Sequence, residues 1–321
     1  MTEGLRALLT EIIDYAGMFP PAQLAFDPAI ENYLRYHAHA DAWMLGRFIC
    51  PAAKLGEFAR FDERLRAQAT PIRVSALGRG GDSVEAFIGN LRHDVADICA
   101  TLERRAGRIR IDAFEARLPP DCVQGGAPAI ADACRRAVEL LARAPGLAAI
   151  ALESPSVGPP SVQLPAVIAG IASASKGAAS RVGFKLRCGG TDASAFPDAA
   201  TIARVLRAGV DHRVALKFTA GLHHPLPRWD EGVRARMHGF VNVFVAGLLA
   251  CVYELSESDL VEILQAERPE QFAITSEYVG FGDSTVPCDE IAALRAGAIT
   301  SFGSCSFDEP RQDLRSLGWL G

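Results

Sequence analysis

Short apolar runs alternate with longer amphipathic stretches along most of the chain. The strand-like runs lie at 44–52, 72–78, 108–119, 147–155, 181–190 and 213–222, with two further runs at 272–282 and 298–307. Most end in polar residues, Gly or Pro. Between them sit helical patterns such as "DSVEAFIGNLRHDVADICATLERRA" and "APAIADACRRAVELLARAPG", apolar at three- and four-residue spacing. Strands separated by helices of this length build a parallel sheet. Eight such runs predict an α/β fold, a (β/α)8 barrel of the TIM type. An open doubly wound sheet is the alternative, but no GxGxxG follows the first run.

Two amphipathic patterns, 2–16 and 27–40, precede the first run and are joined by "MFPPAQLAFD". The pattern therefore gives one domain over 1–321, with a helical extension at 1–40 and the barrel at 41–321. In "DYAGMFPPA" the sequence assigns Asp14 and Tyr15 to capping and packing the first helix, with the barrel mouth as the alternative. The segment 237–255 is apolar on nearly all sides. It reads as a buried helix, or as a contact between copies in a homo-oligomer.

Composition narrows the function classes. The chain has 321 residues, of which 49% are hydrophobic, enough for a large core. Its net charge is −5 with no basic block, which argues against a nucleic-acid partner. No stretch of ~20 residues is apolar without a charge, so no membrane span is expected. The first residues lack the basic start and apolar middle of a signal peptide, so a cytoplasmic location is expected. The eight cysteines form no CxxC pair, and reduced thiols are expected.

Lysine usage is sharper. The only lysines are Lys54, Lys176, Lys185 and Lys217; all other basic side chains except histidine are arginine. Arginine stays charged, whereas a desolvated lysine can lose its proton. Side chains alternate along a strand, and in a barrel the reacting groups gather at the C-terminal strand ends. In "VGFKLRCGG", Gly183, Lys185 and Arg187 share one face; in "VALKFTAG", Ala215, Lys217 and Thr219 do. The bulky apolar residues take the other face, so both lysines are predicted to point inward on neighbouring strands. Burial and a nearby cation favour the neutral amine, and a neutral amine attacks carbonyls to form a Schiff base. Glu153 and Glu115 are placed to carry protons, as is His223 or His224. The alternative is that each lysine pairs with a glutamate and supports the structure.

"FKLRCGG", then "LKFTAGL" about thirty residues on, then "RAGAITSFGSCSF", resembles the deoxyribose-phosphate aldolase group of class I aldolases. The resemblance implies Lys185 as the Schiff-base lysine and Lys217 as the lysine that lowers its pKa. It implies Gly303 and Ser304 as a phosphate-binding element. Glu153 falls where the group has an acidic residue, an aspartate, on strand four. The lysine strands count here as five and six, against six and seven in the group. If the register differs, Lys217 is the nucleophile.

A metal site is the competing chemistry. His223 and His224, with Cys188, Glu153 or Cys305, form a set that can hold zinc or another divalent metal. Adjacent histidines on an extended chain point apart, and neither an HExxH motif nor a usable HxH pair is present. Asp308 is read as the N-cap of a helix after "SFGSCSF", whose backbone could hold an anion. The leading expectation is an aldolase-type lyase without a cofactor, acting on a small, anionic carbonyl substrate. Lys185, Lys217, Glu153 and His223 are the catalytic candidates, and Arg187, Glu115, His224, Gly303, Ser304 and Cys305 contact substrate. A metal-dependent hydrolase or lyase and a non-catalytic ligand-binding barrel are the alternatives.

Overall fold

In the computed structural model, which describes residues 1–155 and 160–321, eight parallel strands close into a barrel. These are β1 (Ile13–Tyr15), β2 (Leu45–Pro51), β3 (Ile72–Leu77), β4 (Ile109–Arg117), β5 (Ala149–Glu153), β6 (Arg181–Arg187), β7 (Ala215–Thr219) and β8 (Ile299–Ser304). Around the barrel the order is β1-β8-β7-β6-β5-β4-β3-β2. A helical segment follows each strand, so the (β/α)8 expectation holds.

The strand count holds by a different route from the one the pattern predicts. The first barrel strand lies inside residues 1–40, assigned above to a helical extension. The helix expected over 2–16 stops at Leu9, and the chain turns through Glu11, a non-glycine residue at φ 50°. The apolar residues Leu5, Leu8, Leu9, Ile12 and Ile13 are buried at near-helical spacing, which hides a three-residue strand. Conversely, 272–282 is not in the barrel. It belongs to an antiparallel sheet of Phe272–Ile274, Tyr278–Phe281 and Ser284–Pro287. The two-residue turn Gly282-Asp283, with Gly282 at φ 56°, is the hairpin signal.

By their contacts the residues form two units: 25–31 with 47–185, and 1–24 with 32–46 and 186–321. In the first, β2 to β6 are paired in register from Phe48–Val74 through to Glu153–Lys185. Val74, Phe114, Ile150, Leu152, Val182 and Phe184 are buried, alternating in sequence with the small or polar Ser75, Ala113, Glu115, Ala149, Ala151, Glu153 and Gly183. That alternation is the pattern of strands covered by helices on one face. Asp112 sits at a break in the β3–β4 register and gathers Arg47, Arg73 and Arg110 at the N-terminal end of these strands.

In the second unit, β1 pairs with β8 and β8 with β7. Phe218, Phe240, Phe244 and Phe302 form the aromatic core between these strands and the helix Phe240–Val252. That helix is buried on all sides through Ala250, as its composition predicts. Arg295 is buried against Phe244 and donates to the carbonyls of Leu8, Ile299 and Thr300. Burial pushes its pKa down to about 9, while Asp14 and Glu11 pull the other way.

No helix among the described residues is long and apolar enough to cross a membrane.

Candidate functional site

Register brings together three of the expected residues. Glu153 on β5 lies beside Lys185 on β6, and Glu115 on β4 lies beside Ala151 on β5, one inward position earlier. Ala151 and Gly183 are small, so the Glu115 side chain reaches across β5. Lys185 Nζ donates to Glu153 Oε2 at 2.9 Å and to Glu115 Oε2 at 3.1 Å. The other oxygen of Glu115 accepts from Ser75 Oγ on β3 at 2.7 Å. All four side chains are buried, Lys185 to 4% exposure.

The charge state of Lys185 differs from the expectation of a neutral amine. Burial pulls its pKa down, but Glu115 and Glu153 together outweigh burial, and the net direction is up. Two carboxylates at hydrogen-bond distance hold the ammonium.

Lys217, on β7, has a partner that the sequence pattern places elsewhere. It donates to Asp14 Oδ2 on β1, and Ser301 Oγ on β8 donates to the same oxygen at 2.7 Å. Asp14 is fully buried and Lys217 is 6% exposed. Gly46 makes the room, because a Cβ there would lie 2.4 Å from Asp14 Oδ1. Asp14 therefore neither caps nor packs the first helix; it faces the interior beside a lysine 203 residues away in sequence.

The loop after β7 is held by close backbone approach. Ala220 and Gly221 both have positive φ, 58° and 69°. A Cβ on Gly221 would lie 2.5 Å from the Cys188 carbonyl oxygen, so glycine is required there. The Cys188 amide donates to the Thr219 carbonyl at 2.8 Å. The histidines then reach the C-terminal helix Asp308–Ser316. His223 Nδ1 lies 3.1 Å from Glu309 Oε2 and His224 Nδ1 2.5 Å from Asp313 Oδ2. Glu309 and Asp313 are four residues apart, on one helix face. Glu309 is held below the usual carboxylate range, first by its hydrogen bond with His223.

The zinc set is not assembled. Both histidines are paired with helix carboxylates, and Glu153 bonds Lys185. Cys188 is fully buried with its thiol pKa pushed up by burial. Among the described residues no group of three or more His, Cys, Asp or Glu could hold a metal ion.

The remaining candidates are spread more widely. Arg187 ends β6 with its side chain exposed. Gly303 and Ser304 are buried in β8; Gly303 pairs with Asp14 and Thr219, and Ser304 Oγ accepts from the Ser306 amide. Cys305 is half-buried, and burial raises its pKa despite a hydrogen bond from the Ala22 amide. Asp308 is not the N-cap; it bonds Tyr36 and Arg311, while Ser306 Oγ accepts from the Glu309 amide and does the capping. The first helical turn thus carries two carboxylates and an engaged amide, a poor seat for an anion.

No protein-family profile and no curated protein matches this chain. Among solved structures, one described as a "putative deoxyribose-phosphate aldolase" from Toxoplasma gondii ME49 is similar over 98% of this chain and 93% of that one. The identity is 11% and the TM-score 0.40. The barrel assignment stands on the strand order itself.

Proposed function

We propose that this protein is a lyase of the class I aldolase type, acting on a small carbonyl compound through a buried lysine. The observation that carries the reading is that each inward lysine has a buried carboxylate at its amine. Such a pair supplies both needs of the chemistry. The amine is the nucleophile, and the carboxylate takes and returns the protons that imine formation and carbon–carbon cleavage require. The position of the lysines adds support. With Ile13–Tyr15 as the first strand, Lys185 and Lys217 fall on strands six and seven, the count of the aldolase group they resemble. On the same count Glu115, rather than Glu153, is the acidic residue on strand four.

His223 is a weaker candidate for proton transfer than the glutamates, because Glu309 engages its Nδ1. Arg187, exposed at the end of β6, is the guanidinium we assign to an anionic substituent of the substrate.

Incubation with acetaldehyde, dihydroxyacetone or pyruvate followed by borohydride tests the reading. A reduced adduct is expected on Lys185 or Lys217 and is lost when that lysine becomes arginine. Absence of an adduct on both lysines with all three carbonyls would overturn the proposal.

A further inference from the structure

We propose that Ser75 is a positioning residue, which fixes Glu115 as the base that takes the proton of the Lys185 ammonium. This rests on the aldolase-type reading, with Lys185 as the lysine that forms the adduct.

The two glutamates at Lys185 are placed by different means. Glu153 and Lys185 are register partners across β5 and β6, so backbone pairing alone sets them side by side. Glu115 stands two strands away from Lys185, and its own partners are Leu77 on β3 and Ala151 on β5. Its side chain spans β5 to reach the amine. A long side chain with several free torsions is poorly fixed by one contact at its tip. Ser75 supplies a second. Its Oγ donates to Glu115 Oε1 at 2.7 Å, while Glu115 Oε2 accepts from Lys185 Nζ at 3.1 Å. Ser75 is 0% exposed and Glu115 2%. A hydrogen bond to an ionised group in such surroundings is among the strong ones.

A bulge brings the serine and the glutamate to one face. Val74 pairs with Ile111 but Ser75 pairs with Ala113, so Asp112 is an extra residue in β4. An extra residue shifts the alternation of the strand by one. Ahead of it, Ile109 and Ile111 share a face with Ile72 and Val74. Beyond it, Phe114 shares that face with Ala76, and Glu115 joins the inward row of Ser75 and Leu77. An unbroken β4 would turn Glu115 toward the helices. Asp112 bonds Arg47 at 2.5 Å and Arg73 at 3.0 Å, which pins the extra residue in place.

Position matters here because Lys185 starts charged. Two carboxylates hold it as the ammonium, so a base must take a proton before the amine can attack. Glu115 takes that proton. The freed lone pair adds to the carbonyl carbon, and the C=O π pair moves to oxygen, which takes the proton from Glu115. Glu115 then removes a proton from the nitrogen and delivers it to the hydroxyl. Water leaves, the nitrogen lone pair forms C=N, and Glu115 is again a carboxylate. The sum is ammonium plus carbonyl giving iminium plus water. Ser75 touches none of the reacting atoms and acts through Glu115.

Borohydride reduction with acetaldehyde, dihydroxyacetone and pyruvate, followed by peptide mapping, locates the adduct and gives its rate against carbonyl concentration. The adduct is expected on Lys185. Ser75→Ala should lower the saturating rate by about 10- to 100-fold, the scale on which a displaced reacting group is felt. The half-saturating carbonyl concentration should stay in place. In a Glu115→Gln background Ser75→Ala should cost nothing further, a non-additivity that a merely structural serine would not give. Ser75→Cys, close in size but a weaker donor, should fall between wild type and Ser75→Ala. An adduct on Lys217 alone, a wild-type rate in Ser75→Ala, or full additivity with Glu115→Gln overturns this assignment and leaves the lyase reading standing. An adduct on neither lysine with all three carbonyls overturns both. If Ser75→Ala does not fold, the wild-type map and the Ser75→Cys rate decide in the same way.

Discussion

The two lysine clusters look alike in sequence and differ in electrostatics. Each lysine lies inside a strand, faces inward, and is almost fully buried. Around Lys185 the adjacent β5 and the next strand, β4, supply two carboxylates, one steadied by a serine. Around Lys217 a strand distant in sequence, β1, supplies Asp14, which a serine and an arginine also engage. Burial alone pushes a lysine toward neutrality, and carboxylates within reach oppose that push. At Lys185 the carboxylates prevail, and the net direction is toward a higher pKa.

The largest expected effect is at the Lys185 cluster. Lys185→Met leaves two buried carboxylates facing each other, and breaking a buried ion pair by removing one partner costs ~3–5 kcal/mol. Denaturant unfolding at pH 7 should show a loss of that size. The loss should shrink as pH falls and the glutamates take up protons. In the wild type the sign is opposite. The folded pKa of Lys185 lies above its ordinary value of 10.5, so its contribution is complete below that pH. It disappears as pH rises through the folded value. A loss at pH 7 no larger than that of Lys217→Met would erase the distinction between the clusters.

Gly221→Ala is the next largest effect and acts where the loop after β7 meets the segment that follows β6. The left-handed conformation costs an L-residue ~1–2 kcal/mol, and the Cys188 carbonyl stands where the new Cβ would go. Calorimetry should show a destabilisation of at least ~1–2 kcal/mol. Adduct formation should fall with it, because the loop that follows β7 can no longer keep its course. Full adduct formation in a destabilised Gly221→Ala protein would show that this loop does not position Lys217.

Much of this was legible beforehand, for a physical reason. Alternation along β5, β6 and β7 exposes the parity of Glu153, Lys185 and Lys217, since these strands are long enough to show a period of two. Glu115 is visible the same way. Asp14 is not, because its strand has three residues and its apolar neighbours fit a helix equally well. That one short strand also shifted the strand count by one. The 309/313 spacing on the last helix was readable as one face, but its histidine partners lie 86 and 89 residues away, and no local pattern joins them. The adjacent histidines suggested a metal because a sequence shows ligands and not the carboxylates that hold them.

The smallest effect concerns those histidines. Glu309 is held low chiefly by His223, with His224 and Arg228 adding to it and burial opposing. Its stabilising contribution is present above the ordinary carboxylate value of 4.5 and lost as pH falls through the lowered one. The Glu309 side chain is 45% exposed, so solvent screens the pair, and such pairs contribute ~0–1 kcal/mol. His223→Ala should therefore change stability by less than ~1 kcal/mol, while NMR titration shows Glu309 returning upward. If the histidine instead carried protons for the reaction, this substitution would slow adduct formation by about 100-fold or more. A near-normal rate would leave the chemistry with the buried carboxylates and make the His223–Glu309 pair a strap between the β7 loop and the last helix.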